Sequence, residues 1–174
     1  QALYVVGALR MGISYHTKIS SLMTRVNALV HSTFSEEQFV SMFYMELSDD
    51  QKGLVLYSNA GHNNPVLYHA HERRVEHLEA TGQLLGPFPR ERYRVGNTHM
   101  AFGDVLVIFS DGVSEAANME GELYGERRLV EKVEELADER AETICKALLA
   151  DAEEFSKGSD DTDDKTVVVV KRVQ

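Results

Sequence analysis

Five consecutive apolar residues, Val105-Leu106-Val107-Ile108-Phe109, lie between Gly103-Asp104 and Ser110-Asp111-Gly112. A strand with one wet face alternates apolar and polar residues, whereas a run apolar throughout fits a strand covered on both faces. This segment therefore belongs at the centre of a sheet, and the rest of the chain must supply its cover. A length of 174 residues suits one domain over residues 1–174, since a core of this size buries about two thirds of the unfolded surface.

The remaining patterns say what that cover is. Residues 3–15 are apolar on nearly every side and contain Gly7 and Gly12, which predicts a buried helix packed closely against a neighbour. Ile19, Leu22, Met23, Val26, Leu29 and Val30 recur at helical spacing and leave Thr24, Arg25, Asn27 and Ala28 on other faces. Strands are predicted over 39–47 and 53–59 around a turn at 48–53, then over 65–69 and 74–79, the four forming a meander. A further pair is expected over 92–100 and 104–109. Helical spacing returns in Leu129, Val130, Val133, Leu136 and Ala137 and again from Ile144 to Phe155, with Asp138 a cap between them. Residues 166–171 close as a strand. Helices, then strands, then helices imply antiparallel sheets with helices outside rather than alternating βαβ units, an α+β class.

Charge and composition narrow the function. A net charge of −10 argues against a nucleic-acid partner, because phosphate-backbone binding needs a basic face. No segment reaches the roughly 20 apolar residues of a membrane span, and residues 1–15 lack the basic leader and small-residue cleavage site of a signal peptide. The single cysteine, Cys145, excludes an internal disulfide and a cysteine-rich zinc site, fits a reducing compartment such as the cytoplasm, and reads as core. Met11, Met23, Met42 and Met45 read as core packing, and His69, His71 and His77 as surface positions of a hairpin.

Ser110-Asp111-Gly112 follows the most apolar strand and Asp163-Asp164-Lys165-Thr166 precedes the last one. If these strands are antiparallel neighbours, Asp111 and Asp163 come together. Two adjacent carboxylates repel, a divalent cation removes that penalty, and an all-oxygen donor set points to magnesium or manganese rather than zinc. Gly112 would let the backbone turn sharply away from the ion. The competing reading is an ordinary Asp-Gly turn and a solvated acidic run. An EF-hand counted from Asp160 fails, because Lys165 stands where that loop requires glycine. Glu115 reads as a surface carboxylate, and Asp164 and Thr166 as residues that orient the Asp163 loop by local hydrogen bonds.

A set of motifs in fixed order then carries a family resemblance: Phe39-Val40-Ser41-Met42-Phe43-Tyr44, Ser58-Asn59-Ala60-Gly61-His62 with Asn63-Asn64-Pro65, Leu85-Gly86, Phe102-Gly103-Asp104 leading into Ile108-Phe109-Ser110-Asp111-Gly112-Val113-Ser114-Glu115-Ala116, Gly121-Glu122-Leu123-Tyr124-Gly125, and Asp163-Asp164-Lys165-Thr166. Over almost its whole length the chain resembles the SpoIIE and RsbU-like branch of the PP2C (PPM) serine/threonine phosphatases. The resemblance implies an α-β-β-α sandwich of two antiparallel sheets flanked by helices, with two Mn2+ or Mg2+ ions at one end. It makes Asp111 and Asp163 the acidic metal ligands and catalytic groups, and implies hydrolysis by a water activated between two ions. It places His62 close to the metal or the substrate, because the matching position in eukaryotic relatives is acidic. The implied substrate is a phosphoserine or phosphothreonine protein of the anti-sigma-factor antagonist type. Regulation is expected from an upstream sensory or receiver domain, with residues 3–30 as the surface for control or for homodimer pairing. The family's first metal-binding motif precedes an Ala-Ala-Leu run that Gln1-Ala2-Leu3 resembles, so the expectation is a domain lacking that first segment. The alternative function is an inactive module that binds a phosphoprotein without hydrolysing it.

Overall fold

In the computed structural model, which describes residues 2–35, 37–48, 52–159 and 163–173, the segment 105–109 is indeed an interior strand. Along the chain the elements are α1 (Ala2–Ser14), α2 (Ile19–Thr33), β1 (Met42–Leu47), β2 (Leu54–Ala60), β3 (Val66–His69), β4 (Arg74–His77), β5 (Gly96–His99), β6 (Val105–Phe109), α3 (Asp111–Ser114), α4 (Gly125–Glu135), α5 (Ala141–Phe155) and β7 (Val167–Lys171). They form two antiparallel sheets, β1-β2-β5 and β4-β3-β6-β7, so the class is α+β as expected. By contacts the chain divides into two units, Gln1–His62 with Glu79–His99, and Asn63–Leu78 with Met100–Gln174. The predicted turn at 48–53 and the acidic run at 160–162 fall partly or wholly outside the described residues.

In the second unit, β6 lies between β3 and β7. Val105, Leu106 and Val107 are fully buried and Phe109 nearly so, each worth about 1.5–3 kcal/mol relative to exposure. The cover comes from α4 and α5: Leu129, Val133, Ile144, Leu148 and Ala152 join Val66, Val105, Val107, Phe109 and Val167 in one cluster, with Cys145 packed at its edge. Between the helices, Asp138 is not the cap. The N-cap of α5 is Arg140, which makes no side-chain cap bond, and Lys171 Nζ donates to the carbonyls of Ala137 (2.6 Å) and Glu139 (2.7 Å). A cation thus satisfies carbonyls just past the end of α4.

His69 corrects the surface reading of the hairpin histidines. All four residues of β3 are buried, and the His69 ring spans two carboxylates, with Nδ1 3.0 Å from Asp104 Oδ2 and Nε2 2.9 Å from Glu76 Oε2. Asp104, only 1% exposed, also accepts the backbone N–H groups of Ala70 and Ala101. A buried carboxylate is tolerated when it is surrounded by donors in this way. The Gly103-Asp104 pair therefore ties the entry of β6 to the end of β3.

In the first unit, α2 buries Ile19, Leu22, Met23, Val26 and Val30 as predicted, but Asn27 is buried with them. It lies one turn beyond Met23, on the apolar face. Its amide donates to Phe88 O (2.9 Å) and its carbonyl accepts from Gly86 N–H (2.8 Å), which clamps the loop at 86–88 to the helix. Helix α1 is not the buried helix expected. Among its described side chains only Val5 is buried, whereas Leu3 is 85% and the following Tyr15 77% exposed, and Met11 is also exposed rather than core. Gly12 does give a close approach, since a Cβ there would collide with Leu22 Cδ1, but Gly7 faces open space. An apolar run records that cover is favourable, not which part of the molecule provides it.

The meander is also corrected. β1 pairs with β2 and β3 with β4, but β2 continues to β5 and β3 to β6, in different sheets. The strand expected over 92–100 is confined to Gly96–His99, because Tyr93 turns inward against Gly82 and Arg94 N–H bonds Thr81 O instead of continuing the ladder.

Candidate active site

The geometry begins at the end of the β6–β7 ladder, whose last pair is Phe109 with Val167. Antiparallel pairing puts the C-terminal end of β6 beside the N-terminal end of β7. Asp111 lies two residues beyond one end and Asp163 four residues before the other. The predicted adjacency of these two segments is therefore built into the register.

Past the ladder, side chains continue the link. Ser110 N–H donates to Thr166 O (3.0 Å), Thr166 N–H donates to Ser110 Oγ (2.9 Å), and that hydroxyl donates to Asp164 O (3.1 Å). Ser110 is extended, and the chain then enters the short helix α3, whose first residue is Asp111. Gly112 thus lies within a helical turn, not at a sharp reversal. Its smallness serves another need: a Cβ there would sit 2.5 Å from Asp164 O and 3.0 Å from Asp164 C. Only a residue without a side chain lets the two acidic segments approach this closely.

Both aspartates are exposed, and each is oriented by its successor. Asp111 Oδ1 accepts Gly112 N–H (3.0 Å) and Asp163 Oδ1 accepts Asp164 N–H (2.9 Å). Asp111 O takes Glu115 N–H (2.8 Å) and the Ser114 hydroxyl (3.4 Å), and Ser114 Oγ accepts from Asn63 Nδ2 (3.3 Å). Glu115 acts here through its backbone while its carboxylate is exposed, as the surface reading expected. Thr166 likewise contributes its backbone N–H and C=O.

Two oriented oxygen-donor groups at adjoining strand ends, on segments that Gly112 lets pack closely, are of the chemistry that suits a hard divalent cation. Among the described residues there is no group of three or more His, Cys, Asp or Glu placed to hold an ion. His62 lies in the first unit. Its N–H donates to Asn59 Oδ1 (2.9 Å), its carbonyl accepts from Asn59 Nδ2 (3.1 Å), and its Nδ1 is 3.4 Å from Ser41 Oγ. Sequence reasoning missed Ser110 and Ser114. The signal available was a hydroxyl residue on either side of Asp111-Gly112.

The family profile described as Stage II sporulation protein E (SpoIIE) matches residues 2–173. Phosphoserine phosphatase RsbU of Bacillus subtilis (strain 168) is 30% identical over 158 residues, covering 88% of this chain and 45% of that protein. The chain thus spans under half the length of this curated relative. Among solved structures, the SiaA-PP2C domain of Pseudomonas aeruginosa superimposes with a TM-score of 0.81 at 15% identity, over 96% of this chain and 67% of that one. The PP2C phosphatase domain of the cell fate determinant SpoIIE from Bacillus subtilis, solved with a fragment of its regulatory domain, gives 0.79 at 18%, over 97% and 49%. That phosphatase domain has also been solved after a manganese presoak, with a TM-score of 0.62 at 16% identity over 97% and 73%. These structures share the PP2C fold.

Proposed function

The chain belongs to the SpoIIE family of PP2C-type phosphatase domains, and on that premise we propose that it hydrolyses phosphoserine or phosphothreonine on a regulatory protein with the help of Mn2+ or Mg2+ held by Asp111 and Asp163. The observation that carries this reading is the β6–β7 register, which aligns two acidic segments and locks them through Ser110 and Gly112. Bound there, such ions would supply an activated water and offset charge on the phosphoryl oxygens. The chain's own residues hold the carboxylates still. Asp111 and Asp163 each keep one oxygen on a backbone N–H, and Asp164 and Thr166 fix the second segment through backbone bonds.

The substrate we propose is a phosphorylated protein of the anti-sigma-factor antagonist type, on the strength of the relative named as the phosphoserine phosphatase RsbU. Control by a sensory or receiver domain accords with the greater length of that relative. The exposed apolar side chains of α1 support residues 3–30 as the surface for this control or for a second copy. Among the described residues no helix is long and apolar enough to cross a membrane, and a cytoplasmic setting is part of the proposal.

The test is release of inorganic phosphate from a phosphoserine protein by the full-length protein with manganese. Release should stop on chelation and return when the metal is restored. Binding of the phosphoprotein without metal-dependent release would make the domain a binding module instead.

A further inference from the structure

We propose that Ser110 is a positioning residue, whose hydroxyl sets the spacing between the two carboxylate-bearing segments. The inference rests on the metal-site reading above but concerns a residue that binds neither metal nor phosphate in it. Past Phe109 and Val167 the strand ladder has ended, yet the two segments must stay in register for Asp111 and Asp163 to serve one site. Ser110 supplies that continuation. Its backbone N–H goes to Thr166 O, and its Oγ both accepts from Thr166 N–H and donates to Asp164 O.

A hydroxyl is a single atom that donates and accepts at once. Alanine removes both bonds. Aspartate could accept from Thr166 but would face the Asp164 carbonyl with a second acceptor and add like charge beside Asp111 and Asp163. The same Asp164 carbonyl lies against Gly112. It is therefore held by a bond from Ser110 and admitted by the missing side chain of Gly112. A shift of this carbonyl moves the peptide unit next to Asp163, whose carboxylate is itself pinned to Asp164 N–H. Displacement at Ser110 thus reaches the ligand through one residue. Thr166 and Asp164 are exposed and Ser110 only half-buried, so water can satisfy the freed groups and the fold should tolerate the loss. Geometry at the site is what should suffer.

The experiment is a manganese titration of the full-length protein, followed by the electron paramagnetic resonance of free Mn2+, on wild type and on Ser110→Ala, Ser110→Cys, Ser110→Thr and Asp111→Asn. Amide exchange at Thr166 is measured alongside. Ser110→Ala and Ser110→Cys should weaken manganese binding by about ten- to a hundredfold, the range for outer partners of metal ligands, and speed exchange at Thr166. Ser110→Thr, which keeps the hydroxyl on an extended backbone, should restore both. Wild-type affinity in Ser110→Ala and Ser110→Cys together with loss in Asp111→Asn would overturn the positioning role and leave the site reading standing. Equal binding in all five proteins would remove the site reading, and this inference with it. Should Ser110→Ala fail to fold, the contrast between Ser110→Cys and Ser110→Thr decides the matter: equal affinities overturn the proposal.

Discussion

Asp111→Asn should leave a folded protein whose metal-dependent phosphate release has fallen by roughly a hundred- to a thousandfold, the loss typical when one charge-stabilising group is removed from a reacting centre. The substitution keeps size and shape, and the asparagine Oδ1 can still accept Gly112 N–H as Asp111 Oδ1 does at 3.0 Å. What it removes is one negative charge facing the ion. The adjoining Asp163 then lacks a partner in neutralising the cation, so manganese affinity should fall with the rate, and raising the metal concentration should recover part of the activity. Asp163→Asn should behave in the same way. Steady-state rates across a manganese series, with thermal unfolding as the control for folding, measure the effect. Equal activity in Asp111→Asn and wild type would take Asp111 out of the mechanism.

The second large effect is expected at Gly112. Alanine adds one carbon, and that carbon would stand 2.5 Å from the Asp164 carbonyl oxygen and 3.0 Å from its carbon. These are backbone atoms that cannot swing away as a side-chain tip would, so the segment bearing Asp163 has to move. Overpacking of this kind costs about 1–3 kcal/mol, and Gly112→Ala should show it as a lower midpoint in urea with an unchanged slope. Moving the Asp163 segment should also lower kcat/KM by about ten- to a hundredfold, as for loss of an outer partner of a metal ligand. Helix propensity pulls the other way, since alanine is favoured over glycine within a helix by about 1 kcal/mol. A net gain in stability with unchanged kcat/KM would mean that the close approach to Asp164 is not what holds the site.

How much of this was legible in the sequence depended on whether the signal was local. The apolar run at 105–109 could be read as a covered strand because its own composition says so, and the closing strand at 166–171 was equally plain. Together with the antiparallel expectation, they placed Asp111 and Asp163 at adjoining ends, and the register agrees. Partner choice between sheets was not legible. β2 and β3 follow one another in sequence, and nothing in their alternation says that one continues to β5 and the other to β6. Histidine at position 69 looked like a hairpin surface residue, because its carboxylate partner at 104 is 35 positions away and could be paired with it only in space. Asn27 repeats that lesson: its spacing from Met23 put it on the buried face, but its polarity suggested solvent, and the groups that satisfy it lie in the loop at 86–88. Helix α1 fails in the opposite direction, with apolar side chains left uncovered. Asp111 and Asp163 drew attention through their places at the two strand ends and through the family motifs, whereas the bonds of Ser110 join segments distant in sequence and leave no local signal.

The most direct measurement of the central claim is anomalous diffraction at the manganese edge from crystals of the protein grown with Mn2+. An anomalous peak is expected within coordination distance of carboxylate oxygens from both Asp111 and Asp163. Ordered carboxylates with no peak between them, or manganese bound only elsewhere on the protein, would contradict it.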